Sequence, residues 1–155
     1  MFRLTALSIL AFASQLTFAE EVEVTIDDAW DLAIEAFLDM DAYPSTRDED
    51  LRVIKTDAIP MQLDQSTADC GKFFGISYIR DKRTKTTVAY QVRLKEVEEG
   101  ITKFRVKAKI EGYYFKNEIK GAFFLEQERD SAKVLQCKST GELEKQFIQS
   151  IRDAA

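Results

Sequence analysis

Two cysteines, a complete lack of histidine and a run of alternating cations decide what chemistry this 155-residue chain can do. Cys70 and Cys137 lack Cys-x-x-Cys spacing, so a redox-active pair is disfavoured. In an oxidising compartment an even pair reads first as one disulfide, with two buried free thiols as the other reading. The bridge closes a loop of about 68 residues, which chain-entropy arguments value at roughly 4 kcal/mol. Without histidine the chain has no usual general base, no proton shuttle near neutral pH and none of the commonest metal ligand. Paired carboxylates can run glycoside hydrolysis. Here, though, the acids crowd one helix face and the loops, where solvation is the default. No phosphate loop, nucleophile elbow or zinc-ligand spacing occurs. The expectation is a non-enzyme with no catalytic residue, no metal and no cofactor.

The cations are the positive signal. Arg93 and Lys95 alternate with apolar residues on one segment, and Lys103, Arg105, Lys107 and Lys109 do so on the next. Residues 20–50 hold twelve acids and one base, net −11, whereas residues 72–120 hold thirteen bases and six acids, net +7. Such a chain has an acidic and a basic pole and hence an oriented field. The six cations are candidates for holding an anionic partner: an acidic protein surface, a lipid headgroup or an envelope polysaccharide. The competing reading is a solvated sheet face kept charged against edge-to-edge aggregation. Nucleic acid is not expected, because the chain is acidic overall (pI ≈ 4.9) and no nucleic-acid motif interleaves aromatics with these bases. The acidic pole suggests an alternative function, a proteinaceous inhibitor of a basic extracellular enzyme such as lysozyme. The aromatic residues Phe73, Phe74, Tyr78, Tyr113, Tyr114, Phe115, Phe123 and Phe124 read chiefly as core, with an outward ring from the Tyr113–Phe115 run as the exception.

The elements that position these residues follow from periodicity. Thr25 caps a helix over residues 26–40, with Asp28 completing a capping box and Ile26, Trp30, Ala33, Ile34, Phe37 and Met40 forming an apolar face. Residues 44–50 read as a polar loop and 51–55 as a first strand. Residues 58–69 are indeterminate, with Pro60 barred from a central strand. The run 70–79 reads as a second strand in which Gly71 and Gly75 mark a bulge or a close backbone approach. Val88, Tyr90, Val92 and Leu94, then Phe104, Val106, Ala108 and Ile110, give period two on either side of Glu98-Glu99-Gly100, a β-hairpin with one apolar face. Residues 119–127 and 133–137 are weaker strands, separated by a charged turn at 128–131. Ser139 with Glu142 reads as a second capping box opening a C-terminal helix whose stripe is Leu143, Phe147, Ile148 and Ile151. The fold class is α+β: an antiparallel sheet of about four to five strands, packed on one face by an N-terminal and a C-terminal helix.

Arg3, the apolar run 4–12 and the small residues around Ala19 form a secretory signal over residues 1–19, leaving residues 20–155 as a single domain. The apolar run is short of the roughly 20 residues that a membrane span needs. No other long apolar segment occurs, so no transmembrane segment is expected. Glu20 stands where a lipoprotein would carry its anchor cysteine. The expected location is periplasmic or secreted, with oligomeric state open.

The phrase Cys137-Lys138-Ser139-Thr140-Gly141-Glu142-Leu143-Glu144 resembles the Cys-x-Ser-Thr-Gly-x-Leu-Glu ending of small secreted proteins and lipoproteins of proteobacteria. Together with the tryptophan-bearing first helix and the basic hairpin, the layout is similar to the helix-grip domains of the outer-membrane assembly lipoprotein BamC. That likeness implies a non-catalytic envelope accessory domain.

Overall fold

A computed structural model of the chain describes residues 17–117 and 131–155. Among them run β1 (Phe18–Val22), α1 (Ile26–Asp39), β2 (Pro44–Asp48), β3 (Val53–Thr56), β4 (Ile59–Pro60), β5 (Ala68–Asp69), β6 (Lys72–Phe73) and β7 (Ile76–Ser77). A 3-10 turn (Tyr78–Arg80), β8 (Thr84–Glu98), β9 (Ile101–Tyr114), β10 (Lys133–Gln136), β11 (Lys138–Ser139) and α2 (Glu142–Ala154) complete the chain. The main sheet is antiparallel in the order β1-β9-β8-β3-β2, with β10 also pairing β9 and β4 also pairing β8. The small pairs β5–β11 and β6–β7 lie outside it.

The expected hairpin is the centre of this sheet. Every apolar position from Val88 to Leu94 and from Phe104 to Ile110 is buried, and both helices cover that face. Phe37 of α1 and Phe147 of α2 pack ring against ring, tilted, at 4.7 Å, and Tyr90 of β8 joins them at 5.9 and 6.3 Å. Deleting one of these rings would cost about 3–5 kcal/mol. The Thr25 hydroxyl accepts from the Asp28 N–H at 3.2 Å and donates to the Asp28 carboxylate at 2.7 Å, which is the expected cap. The α+β architecture with two helices on one face is therefore the observed one.

Other expectations change. Residues 44–48 are not loop: Pro-Ser-Thr-Arg-Asp forms the outer strand β2, which has no buried face of its own to produce an alternating pattern. With the short strands, seven enter the main sheet in place of four to five. Residues 70–79 are not one strand, because Gly71, Phe74 and Gly75 all have positive φ and fold the segment into the small β6–β7 hairpin. Ser139 is not the cap of α2. Gly141, at φ 94°, precedes the first helical residue, and no side chain caps it. The expected signal segment lies outside the described residues except for 17–19, of which Phe18 and Ala19 pair with Val106 and Arg105 as the start of β1. The expected strand 119–127, with Phe123 and Phe124, and most of the turn 128–131 also lie outside the described residues.

Candidate functional site

The six candidate cations stand on the outer face of the main sheet, opposite the helices. Antiparallel partners share a face, so the register fixes their neighbours. Arg93 faces Arg105, Lys95 faces Lys103, Gln91 faces Lys107 and Ala89 faces Lys109. Across the next strand boundary, Lys55 of β3 pairs with Gln91 and extends the row beyond Lys107. On the opposite edge, β1 places Ala19 beside Arg105 and Glu21 beside Lys103.

Two of the six have acidic partners. Lys103 pairs with Glu21 at 3.0 Å, and Lys109 with Glu111 at 2.9 Å. Hydrogen bonding to Glu111, reinforced by its charge, holds the Lys109 ammonium above the usual lysine range. Arg93, Lys95, Arg105 and Lys107 form no ion pair within the described residues. Like charges directly opposite on a sheet are destabilising. Arg93–Arg105 and Lys95–Lys103 are two such pairs in succession. Within these two rows the same sign is stacked across the strands, and among the described residues Lys103 alone has an acidic partner.

The acids of α1 lie on the helix side of the sheet. Asp27, Asp28, Asp31, Glu35 and Asp39 are exposed on α1, where Asp27 and Asp28 complement the helix dipole. Asp27 pairs with Arg52 at 2.8 Å, and the guanidinium of Arg52 lies over Trp30 at 5.8 Å. An open groove of about 590 Å³ runs between α1 and the end of α2, lined in part by Asp28, Asp31 and Glu35.

Cys70 and Cys137 form the disulfide. It packs on the core side of β9 above Gly112, where an added Cβ would lie 2.9 Å from the Cys137 sulfur. This explains a glycine near the C-terminal end of a central strand. Among the described residues, no group of three or more Cys, Asp or Glu side chains is placed to hold a metal ion. No helix among them is long and apolar enough to cross a membrane.

One buried polar site escaped the sequence reading. Glu144 is fully buried at the start of α2, and its carboxylate accepts from the Ala108 N–H at 3.0 Å and the Ser139 hydroxyl at 2.6 Å. The signal was its spacing: Glu144 lies in register with Phe147, Ile148 and Ile151 on the apolar stripe. The aromatic cluster also divides. Tyr78, Tyr113 and Phe115 are buried, but Phe73 and Phe74 are exposed, which corrects their assignment to the core.

No known family model matches the chain, and no curated protein matches it in sequence. Among solved structures it is similar to a DUF4468 family protein from Bacteroides ovatus, with 12% identity, 90% of this chain and 80% of that chain covered, and a TM-score of 0.35. A likeness of that size carries no argument about function.

Proposed function

We propose that the chain is a non-enzymatic, exported binding domain of the bacterial envelope, which holds an anionic partner on the outer face of its sheet. The observation that carries this reading is the pair of like-charged rows Arg93–Arg105 and Lys95–Lys103, with Arg93, Lys95, Arg105 and Lys107 exposed or half-buried and without ion-pair partners among the described residues. A partner bearing phosphate or carboxylate groups would relieve the repulsion and recover charge-assisted hydrogen bonds. The missing histidine and the use of both sulfurs in a disulfide favour binding over catalysis. The disulfide is also what an oxidising compartment permits.

The test is site-specific photocrosslinking in whole envelopes. A photoreactive residue at Gln91, exposed between Lys55 and Lys107, should capture a partner, and R93Q/R105Q should lose it. Capture should fall as salt rises, since the exposed charges are screened beyond about 10 Å at 0.1 M salt. Equal capture from a probe at Asp39, on the opposite side, would refute the sheet face as the binding surface. A second reading rests on the acidic groove beside α1: inhibition of a basic extracellular enzyme. A lysozyme lysis assay decides it, and no inhibition at micromolar excess removes it.

A further inference from the structure

The small hairpin β6–β7 is built to project. Its central residues Phe74 and Gly75 have φ of 48° and 81°, the left-handed pair of a type I′ turn. Such turns favour Asn and Gly, and a bulky aromatic at the first position is strained. Phe74 is 91% exposed, Ile76 65% and Phe73 53%. A Cβ built on Gly71 or Gly75 meets nothing within 4 Å, so open space surrounds the tip. Its base is stiff. Cys70, two residues before β6, is held in the disulfide, and the Tyr78 N–H closes the hairpin on the Gly71 carbonyl at 3.0 Å. The Phe73 and Phe74 rings meet edge to face at 4.5 Å, and the rings continue inward through Tyr78 at 6.1 Å and Tyr114 at 5.2 Å. Three large apolar side chains within four residues are thus held out in water on a rigid support.

The surrounding charge identifies the partner's chemistry. Lys72 lies within the hairpin, and Arg80 and Lys82 follow directly after it; all three are exposed. The acids flanking the hairpin in sequence are engaged, Asp81 by Arg83 at 2.8 Å and Asp69 by the Gly71 N–H at 2.9 Å. We propose that this tip enters the headgroup–acyl boundary of an anionic lipid bilayer, with Phe73, Phe74 and Ile76 among the acyl chains and Lys72, Arg80 and Lys82 against the lipid phosphates. Shallow insertion of aromatic and aliphatic side chains within a cationic collar is how peripheral proteins hold such surfaces. A convex tip fits a deformable planar interface. This surface is separate from the basic sheet face and does not depend on it.

The test is co-sedimentation with phosphatidylcholine vesicles, with and without phosphatidylglycerol. The protein should bind the anionic vesicles, F74S should bind about tenfold more weakly, and R93Q/R105Q should bind like the wild type. In F74W the added indole emission should shift to the blue on vesicle addition. Because Phe74 is exposed, F74S should keep the wild-type urea midpoint, which separates lost binding from lost folding. The proposal is overturned if the wild type ignores the anionic vesicles or if F74S binds them unchanged. It is equally overturned if R93Q/R105Q alone abolishes binding, or if Phe74 serves only lipid-free self-association in sedimentation velocity.

Discussion

Replacing Glu144 tests the least expected contact in the fold. β1 covers the edge of β9 only as far as Val106, and β10 takes up the same edge at Glu111. Between them the Ala108 N–H has no strand to donate to, and the Glu144 carboxylate fills the gap from α2. The other carboxylate oxygen accepts from Ser139, whose own oxygen accepts from the Gly141 N–H. One side chain thereby joins β9, the β11 turn and the start of α2. Glu144→Ala removes two charge-assisted hydrogen bonds and leaves a buried N–H unpaired, a loss of about 2–4 kcal/mol. Glu144→Gln keeps an oxygen for Ala108 and offers its amide to Ser139, so it should lose about 1 kcal/mol. Trp30 is the single tryptophan and is buried under Arg52, so urea unfolding followed by its emission reports the whole domain. Ser139→Ala in both backgrounds should give a coupling energy of about 1 kcal/mol. An E144A variant within about 0.5 kcal/mol of wild type, or strict additivity with S139A, would refute the bridging role.

Gly112→Ala places a Cβ 2.9 Å from the Cys137 sulfur and 3.2 Å from the Leu135 Cβ, so unfolding should show a loss of about 1–3 kcal/mol that shrinks when Cys137 is also truncated. C70S/C137S should lower stability by about 4 kcal/mol, read as a shifted urea midpoint. Burial first, and the Glu144 charge second, push the Tyr90 phenol up to about 12 from 10.0. The folded state then keeps a proton that the unfolded chain releases. Stability is full below pH 10 and falls by about 2–3 kcal/mol as pH rises to 12. Tyr90→Phe should flatten that alkaline decline, and an unchanged decline would show that other groups cause it.

The parts of the fold that were legible in the sequence are those in which one face is dry. Val88–Leu94, Phe104–Ile110, α1 and α2 each carry a buried stripe, and burial writes a period into the sequence. β2 was not legible because Pro-Ser-Thr-Arg-Asp buries nothing regularly; it exists because β3 offers it an edge. β6 and β7 misled for the opposite reason. Phe73, Phe74 and Ile76 have the composition of a buried strand, but the positive φ values at Gly71, Phe74 and Gly75 belong to turns. Ser139 and Glu142 matched a capping box, yet the serine hydroxyl is directed to Glu144 instead.

The site was half legible, and the missing half is a matter of register. Alternation put the six cations on one face but did not say which cation opposes which. A direct two-residue turn at Glu99–Gly100 pairs Glu98 with Ile101, as observed, and continued unbroken it would set Leu94 against Arg105. That pairing joins an apolar side chain to a cation on one face and cannot bury the hairpin. The irregularity between Glu96 and Glu98 inserts Val97 as an extra residue and restores like with like: Leu94 against Phe104, and therefore Arg93 against Arg105. The same bulge that rescues the core thus creates the like-charged rows. From Arg105 to Tyr114, the strand position beneath the aromatic tip, the chain advances nine residues, about 30 Å along the sheet. The basic rows and the aromatic tip therefore stand near opposite ends of one long hairpin, too far apart to share a small ligand. R93Q/R105Q and F74S address two independent surfaces, and each can fail without the other.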